Sequence, residues 1–178
     1  SEQIGLLDHF FDQGLERLHL RLPGAGEEDY SQVIEAVAAC YRRRVVVHDH
    51  PRLVGRYGLC GLHLPERVWK GMTDRPQLPD GCTVSASCHT IGDIESFPFR
   101  IDYCFLSPIF DSLCKVGYAG RFSPDSLGDR LQRLHLPVVA LGGITPDRLP
   151  QLRRAGFASA AALGYVWLVE GRELMRWQ

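Results

Sequence analysis

Residues 138–145 read Val-Val-Ala-Leu-Gly-Gly-Ile-Thr, followed by Pro146 and Asp147. Four apolar residues predict a buried strand. Two glycines then leave the backbone bare at its carboxyl end. Thr145 is placed to cap a helix whose first turn holds Pro146 and Asp147. A strand, a glycine pair and a helix start together make a place where an anion meets uncovered N–H groups. An ordinary strand-to-helix turn reads the same way, so the rest of the chain must decide.

Working outward, strand and helix alternate nearly throughout. Further strands are predicted at 17–22, 44–48, 60–64, 83–87, 102–107 and 159–163, making seven with 137–142. Helices are predicted at 3–13, where Ile4, Leu7, Phe10 and Phe11 share a face, and at 31–43, 123–134 and 146–155. The Pro/Gly/Asp-rich stretch 65–81 reads as loop with one short helical turn at 66–70, and 91–96 as a short helix. The alternation predicts one α/β domain over 1–178, a parallel sheet covered by helices. Two architectures fit: a (β/α)8 TIM barrel and an open doubly wound sheet. Polar residues gather at the carboxyl ends of strands along the whole series, not at one switch point, which favours the barrel. A barrel needs eight strands and begins with one, so the reading places a first strand upstream of Ser1.

Composition narrows the class. The 178 residues carry a net charge of −1, so no global basic field invites nucleic acid or an anionic membrane. The run Arg42-Arg43-Arg44 sits where a helix should end, favourable to the helix dipole. No apolar run approaches the roughly 18 residues of a membrane span, and no signal peptide is visible. Six cysteines without a Cys-x-x-Cys pair fit a reducing cytoplasm.

The chemistry gathers at strand ends. In Leu18-His19-Leu20-Arg21-Leu22-Pro23 the leucines alternate with His19, Arg21 and Pro23, which then point inward. An inward arginine needs an anion: a buried carboxylate, or a phosphate or pyrophosphate ligand. The next strand ends Val47-His48-Asp49-His50. His48 and His50 are expected on one face and Asp49 on the other, so the three do not readily meet one ion. With His19, His63 and His89, five of the seven histidines lie on or just beyond strands. They suit proton transfer or, alternatively, a metal held by His48, His50, His63 and His89. Residues 106–117 carry Lys115, one of two lysines against eighteen arginines, in a loop placed to reach a phosphate. Ala160-Ala161-Ala162-Leu163-Gly164 is a small-residue strand ending in glycine. With Gly142 and Gly143 it would occupy the last two strands, where barrels frequently bind phosphate.

In order and spacing these segments resemble the thiamine phosphate synthase/TenI family. The likeness runs from Leu18 to Gly164: His-Leu-Arg at 19–21, His-Asp-His at 48–50, Gly-Leu-His-Leu at 61–64, Ser-Cys-His at 87–89, Ser-Pro-Ile-Phe-Asp-Ser-Leu-Cys-Lys at 107–115 and Ala-Leu-Gly-Gly-Ile at 140–144. The resemblance implies a (β/α)8 barrel. The family's synthases join a pyrimidine pyrophosphate to a thiazole phosphate using magnesium, and some TenI members aromatise the thiazole phosphate by tautomerisation. It implies that Arg21 binds pyrophosphate, Asp49 magnesium and Ser87 substrate. Ser112 and Lys115 then match a Thr-x-Thr-Lys loop, and Gly142, Gly143, Leu163 and Gly164 a thiazole phosphate cradle. Relatives suggest a homodimer.

The departures carry as much information. Synthases have Gln-x-Arg-x-Lys where this chain has His19, Arg21 and Pro23. His48 replaces an asparagine, Cys114 a threonine, and Val68 holds the place of an acidic metal ligand, with Glu66 nearby but shifted. Losing one buried charge partner typically costs about 3–5 kcal/mol. The pyrophosphate half of the site is therefore depleted, while the thiazole phosphate half is kept. The expected function is TenI-type tautomerisation of a thiazole carboxylate phosphate, with His48, His89 and Lys115 as catalytic groups and no cofactor required. The alternatives are a synthase, with Mg2+ on Asp49, and a non-catalytic thiazole phosphate binder.

Overall fold

The structure, a computed structural model, describes residues 2–111 and 120–164. Seven parallel strands form one sheet in the order of the chain: β1 (Leu18–Leu20), β2 (Val45–Val47), β3 (Gly61–Leu64), β4 (Thr83–Cys88), β5 (Tyr103–Leu106), β6 (Val138–Leu141) and β7 (Ser159–Ala161). A doubly wound sheet reverses its strand order at a switch point. This one never does. Between the strands lie α1 (Glu2–Asp12), α2 (Glu27–Ala36), α3 (Arg52–Tyr57), α4 (Glu66–Trp69), α5 (Ile91–Glu95), α6 (Pro124–Arg133) and α7 (Leu149–Arg154), with α1 preceding β1.

Side-chain alternation divides the sheet into two unlike faces. Val45, Val47, Leu62, Leu64, Val84, Ala86, Cys104, Leu106, Val138 and Ala140 join one core cluster with Phe11, Ile34, Leu53, Trp69, Ile94, Leu131 and Leu152 of the helices. The opposite parity gives a separate cluster of Tyr103, Phe105 and Val139, with Leu141 and Ala161 against it. The helices thus cover one face only, as in a barrel wall, and the other face is an interior. The register aligns these inner positions: His19 pairs with Val46, Val46 with Gly61, and His63 with Ser85.

Several element ends differ from the sequence reading. The helix expected at 31–43 begins earlier, because Gly26 caps it and the Asp29 carboxylate accepts the Gly26 N–H at 2.9 Å. It also carries Glu27, Glu28 and Asp29 in its first turn, favourable to the helix dipole. It stops at Ala36, and the three arginines lie in a separate 3-10 turn, Ala39–Arg44. Helix α3 was not expected; Gly58 closes it in the left-handed conformation at φ 62°. The helix after the glycine pair is a 3-10 turn, Pro146–Arg148, running into α7. Thr145 stands at its start without a side-chain capping bond. Among the described residues, no helix is long and apolar enough to cross a membrane. Cys40, Cys60, Cys82, Cys88 and Cys104 are free thiols.

Candidate active site

Three inward strand positions bring three imidazoles together. The ligand nitrogens of His19 (β1), His48 (after β2) and His63 (β3) all lie within 4.8 Å of one another. His19 Nδ1 is 3.2 Å from His48 Nε2, and His19 Nε2 is 2.9 Å from the Tyr103 hydroxyl. His63, almost fully buried, meets Ser85 Oγ at 2.9 Å through Nδ1 and Ser87 Oγ at 2.7 Å through Nε2. Phe105 packs against both His19 and His63. Burial is the main cause that holds the imidazoles neutral. It lowers His19 to about 3, helped by His48 and Arg17, and lowers His48 to about 4, helped by Arg21. His63 falls well below the usual histidine value for the same first reason.

Arg21 lies at the open end of β1, exposed, with no carboxylate partner among the described residues. The buried-carboxylate reading is thus unsupported, and the guanidinium is available for an anionic ligand. Ser87 is seated between His63 and the backbone: its carbonyl accepts the Trp69 indole N–H at 2.8 Å.

The His48–Asp49–His50 triplet does not act together. The strand stops at Val47, and His50 adopts φ 55°, a left-handed turn that breaks the alternation placing it beside His48. Its Nε2 lies 3.4 Å from the Ala25 carbonyl and its ring packs on Tyr30. Asp49 accepts the Tyr30 hydroxyl at 3.3 Å. His89 is also separate. Its Nδ1 donates to the Ser107 carbonyl at 2.8 Å, and its Nε2 lies 3.5 Å from Glu66, which with Asp93 also holds Lys70. Lys70, the second lysine, escaped the sequence reading. Its i,i+4 spacing from Glu66 was the available signal.

The glycine turn is built as a backbone feature. Gly142 has φ 102° and Gly143 φ 62°, strained for any other residue. A Cβ on Gly142 would lie 2.9 Å from Pro108, and one on Gly143 would lie 2.2 Å from the Asp111 carbonyl oxygen. The segment 108–111 docks here. Ile109 N–H donates to Leu141 O at 2.9 Å and Phe110 N–H to Gly142 O at 3.1 Å. At the far end Gly120 N–H donates to Asp111 Oδ1 at 2.7 Å. Thr145 Oγ1, two residues beyond the glycines, is buried without a partner among the described residues. Arg148 stacks on Phe110 at 4.4 Å and donates to Gly143 O. Ala161 ends β7 beside Leu141, and Leu163 and Gly164 follow it, with Leu163 exposed. Ser112 and Lys115 lie outside the described residues.

Magnesium takes oxygen ligands in near-octahedral geometry. Among the described residues the one grouping of three candidate ligand atoms is all imidazole, with neither Asp49 nor Glu66 in it. Asp49 would be the described carboxylate to hold a magnesium ion, with the remaining oxygens coming from water and a substrate phosphate. The imidazole grouping is not a ready zinc centre. Both His63 nitrogens already meet serine hydroxyls, at 2.9 and 2.7 Å, so neither is left bare for an ion.

The sequence profile of the thiamine monophosphate synthase family, TMP-TENI, matches residues 1–166. The chain belongs to this family. Among its relatives are thiamine-phosphate synthases of Alcanivorax borkumensis, 31% identical over 69% of this chain and 57% of theirs, and of Erythrobacter litoralis, 30% identical over 77% and 66%. The chain thus spans no more than two thirds of either relative. The thiamine phosphate pyrophosphorylase of Bacteroides thetaiotaomicron superposes with a TM-score of 0.75 at 29% identity, over 94% of this chain and 79% of that one. The fold is shared with its Pyrococcus furiosus counterpart, TM-score 0.74 at 16% identity.

Proposed function

We propose that this family member binds a thiazole phosphate and catalyses TenI-type tautomerisation of a thiazole carboxylate phosphate. The observation that carries this reading is the neutral imidazole layer at His19, His48 and His63, in which His19 and His48 stand where the family resemblance implies a glutamine and an asparagine in synthases. Neutral imidazoles are proton-transfer groups, not charge partners for a leaving pyrophosphate. The glycine turn at 142–143, the backbone at 163–164, Thr145 and Ser112 hold the phosphate. Arg21 faces the substrate's carboxylate. His48 exchanges a proton with the ring, and Lys115 or His89 completes the transfer, so that the proton taken from one position is returned at another with no net change in composition. No cofactor enters this scheme. The sheet is read as the family's eight-stranded barrel, with one further strand between β7 and β1. The expected setting is the cytoplasm and the expected assembly a homodimer.

The names of the relatives favour a second reading, condensation of a pyrimidine pyrophosphate with thiazole phosphate. Here the missing lysine at Pro23 and the all-imidazole grouping count against it. The test offers thiazole carboxylate phosphate and follows aromatisation by absorbance and NMR. Turnover that falls in His48→Asn with little change in ligand affinity supports the tautomerase. Tight phosphate binding without turnover overturns it in favour of a binder.

A further inference from the structure

Arg21 and Asp49 carry opposite charges at the same end of neighbouring strands, yet they do not pair. Leu20 lies beside Val47, and His48 N–H still donates to Leu20 O at 3.2 Å, so the register of β1 and β2 runs on past both strands. It sets Leu22 beside Asp49, with Arg21 one residue back. Strands about 4.8 Å apart with a rise of about 3.3 Å per residue put the two backbones roughly 6 Å from each other, within reach of an arginine and an aspartate. A carboxylate is the natural partner of a guanidinium fork. Here both residues are exposed, Arg21 makes no ion pair among the described residues, and the Asp49 carboxylate is taken by another group.

That group is Tyr30 of α2, whose side chain is completely buried. Leu22 N–H donates to the Tyr30 oxygen at 2.9 Å, and the Tyr30 O–H donates to Asp49 Oδ2 at 3.3 Å. The direction is fixed at both ends, since an amide N–H only donates and a carboxylate only accepts. One hydroxyl thus ties the segment after β1 to the segment after β2. His50 packs on the Tyr30 ring at 5.0 Å, with its Nε2 3.4 Å from the Ala25 carbonyl. Arg21 and Asp49 both bear electrostatically on the Tyr30 hydroxyl, so the three groups share one neighbourhood.

We propose that Tyr30 is a positioning residue that keeps Asp49 from Arg21, so that the guanidinium stays free for the carboxylate of an anionic substrate. This role rests on the reading that Arg21 faces that carboxylate, and it adds a condition which that reading needs. A cation at the mouth binds substrate only if the neighbouring anion does not neutralise it first. Without the hydroxyl, the Asp49 carboxylate loses its donor, and the unpaired guanidinium of Arg21 is the partner that replaces it.

The experiment compares wild type, Tyr30→Phe and the double variant Tyr30→Phe/Asp49→Asn in metal-free buffer at pH 7. Calorimetry measures binding of thiazole carboxylate phosphate and of thiazole phosphate, which lacks the carboxylate. In Tyr30→Phe, affinity for the first should fall about tenfold and affinity for the second stay within about twofold. The double variant should regain wild-type affinity, because the competing carboxylate is gone. A merely structural role for Tyr30 would not be rescued by a change at Asp49. A second readout needs no substrate. The Arg21 Nε–H of the 15N-labelled full chain should exchange rapidly with water in wild type, slowly in Tyr30→Phe, and rapidly again in the double variant. Equal losses for the two ligands, or a double variant no better than Tyr30→Phe, overturn the proposal. Should Tyr30→Phe not fold, the wild-type signal decides: slow exchange means that the ion pair already exists and overturns the proposal, and rapid exchange upholds it. Failure of the underlying reading looks different. Arg21→Met would then leave affinity for the carboxylate ligand unchanged, while the Arg21 exchange pattern across the three chains stays as expected.

Discussion

At the end of β6 the backbone is the working part. Gly142 and Gly143 hold left-handed angles, touch the 108–111 segment, and leave no room for a side chain. On β1 to β5 the strand backbone is ordinary, and side chains make the contacts: three imidazoles, two serines and a tyrosine within hydrogen-bond reach of one another. The glycine turn tolerates little change because its backbone angles and close packing exclude a side chain. The histidine layer is different. Amides or other polar groups fit the same inward positions, so the chemistry there can change while the fold stays.

The widest effect expected from this contrast is on stability against pH. His19 and His48 titrate near 3 and 4 when folded, against 6.5 for an exposed histidine. As pH falls through 6.5 the unfolded chain binds protons first, so stability is complete above that value and declines until each folded group also titrates. Linkage gives about 2 kcal/mol per histidine between pH 7 and pH 5. Urea midpoints at the two pH values measure it, and His48→Asn should remove its share of the slope. A flat profile would mean the layer is already charged or solvated. Next, His48→Asn should lower kcat for isomerisation about a hundredfold to a thousandfold while calorimetric affinity stays within about threefold. An unchanged rate removes His48 from the chemistry.

The glycine half should break through structure instead. Gly143→Ala puts a methyl group 2.2 Å from the Asp111 carbonyl at φ 62° and is expected to cost about 2–3 kcal/mol in chemical denaturation, together with phosphate affinity. Full stability with intact binding would deny the cradle. Arg21→Met should weaken binding of the carboxylate phosphate about tenfold with no shift in Tm, since the side chain is exposed and unpaired among the described residues. The smallest effect lies outside both halves. Thr90 accepts the Asp93 N–H at 3.0 Å in a capping box, and Thr90→Ala should cost about 1 kcal/mol without altering ligand affinity.

Much of this contrast was legible in the residues. Seven apolar runs became the seven strands, and the alternation Leu-His-Leu correctly put His19 inward with Leu18 and Leu20 on the helices. Gly-Gly after an apolar run announced the turn. What escaped depended on backbone angles or distant partners. His50 left its expected face because of one left-handed φ, and α3 was missed although Leu53, Val54 and Gly58 offered helical spacing and a C-terminal stop. Tyr103 lies 84 residues from His19, and nothing local to β5 signals that its hydroxyl meets an imidazole of β1. His63 was seen as one histidine among five; its place at the centre of the layer follows from the β3–β4 register alone.

The central claim is that imidazole proton transfer has replaced pyrophosphate chemistry on a retained phosphate cradle. The most direct measurement supplies the chain with thiazole phosphate, pyrimidine pyrophosphate and magnesium and detects thiamine phosphate by oxidation to its fluorescent product. The account predicts thiazole phosphate binding and no product, with turnover appearing only when thiazole carboxylate phosphate is offered. Steady formation of thiamine phosphate would contradict it and show that Pro23 and the all-imidazole layer leave a synthase at work.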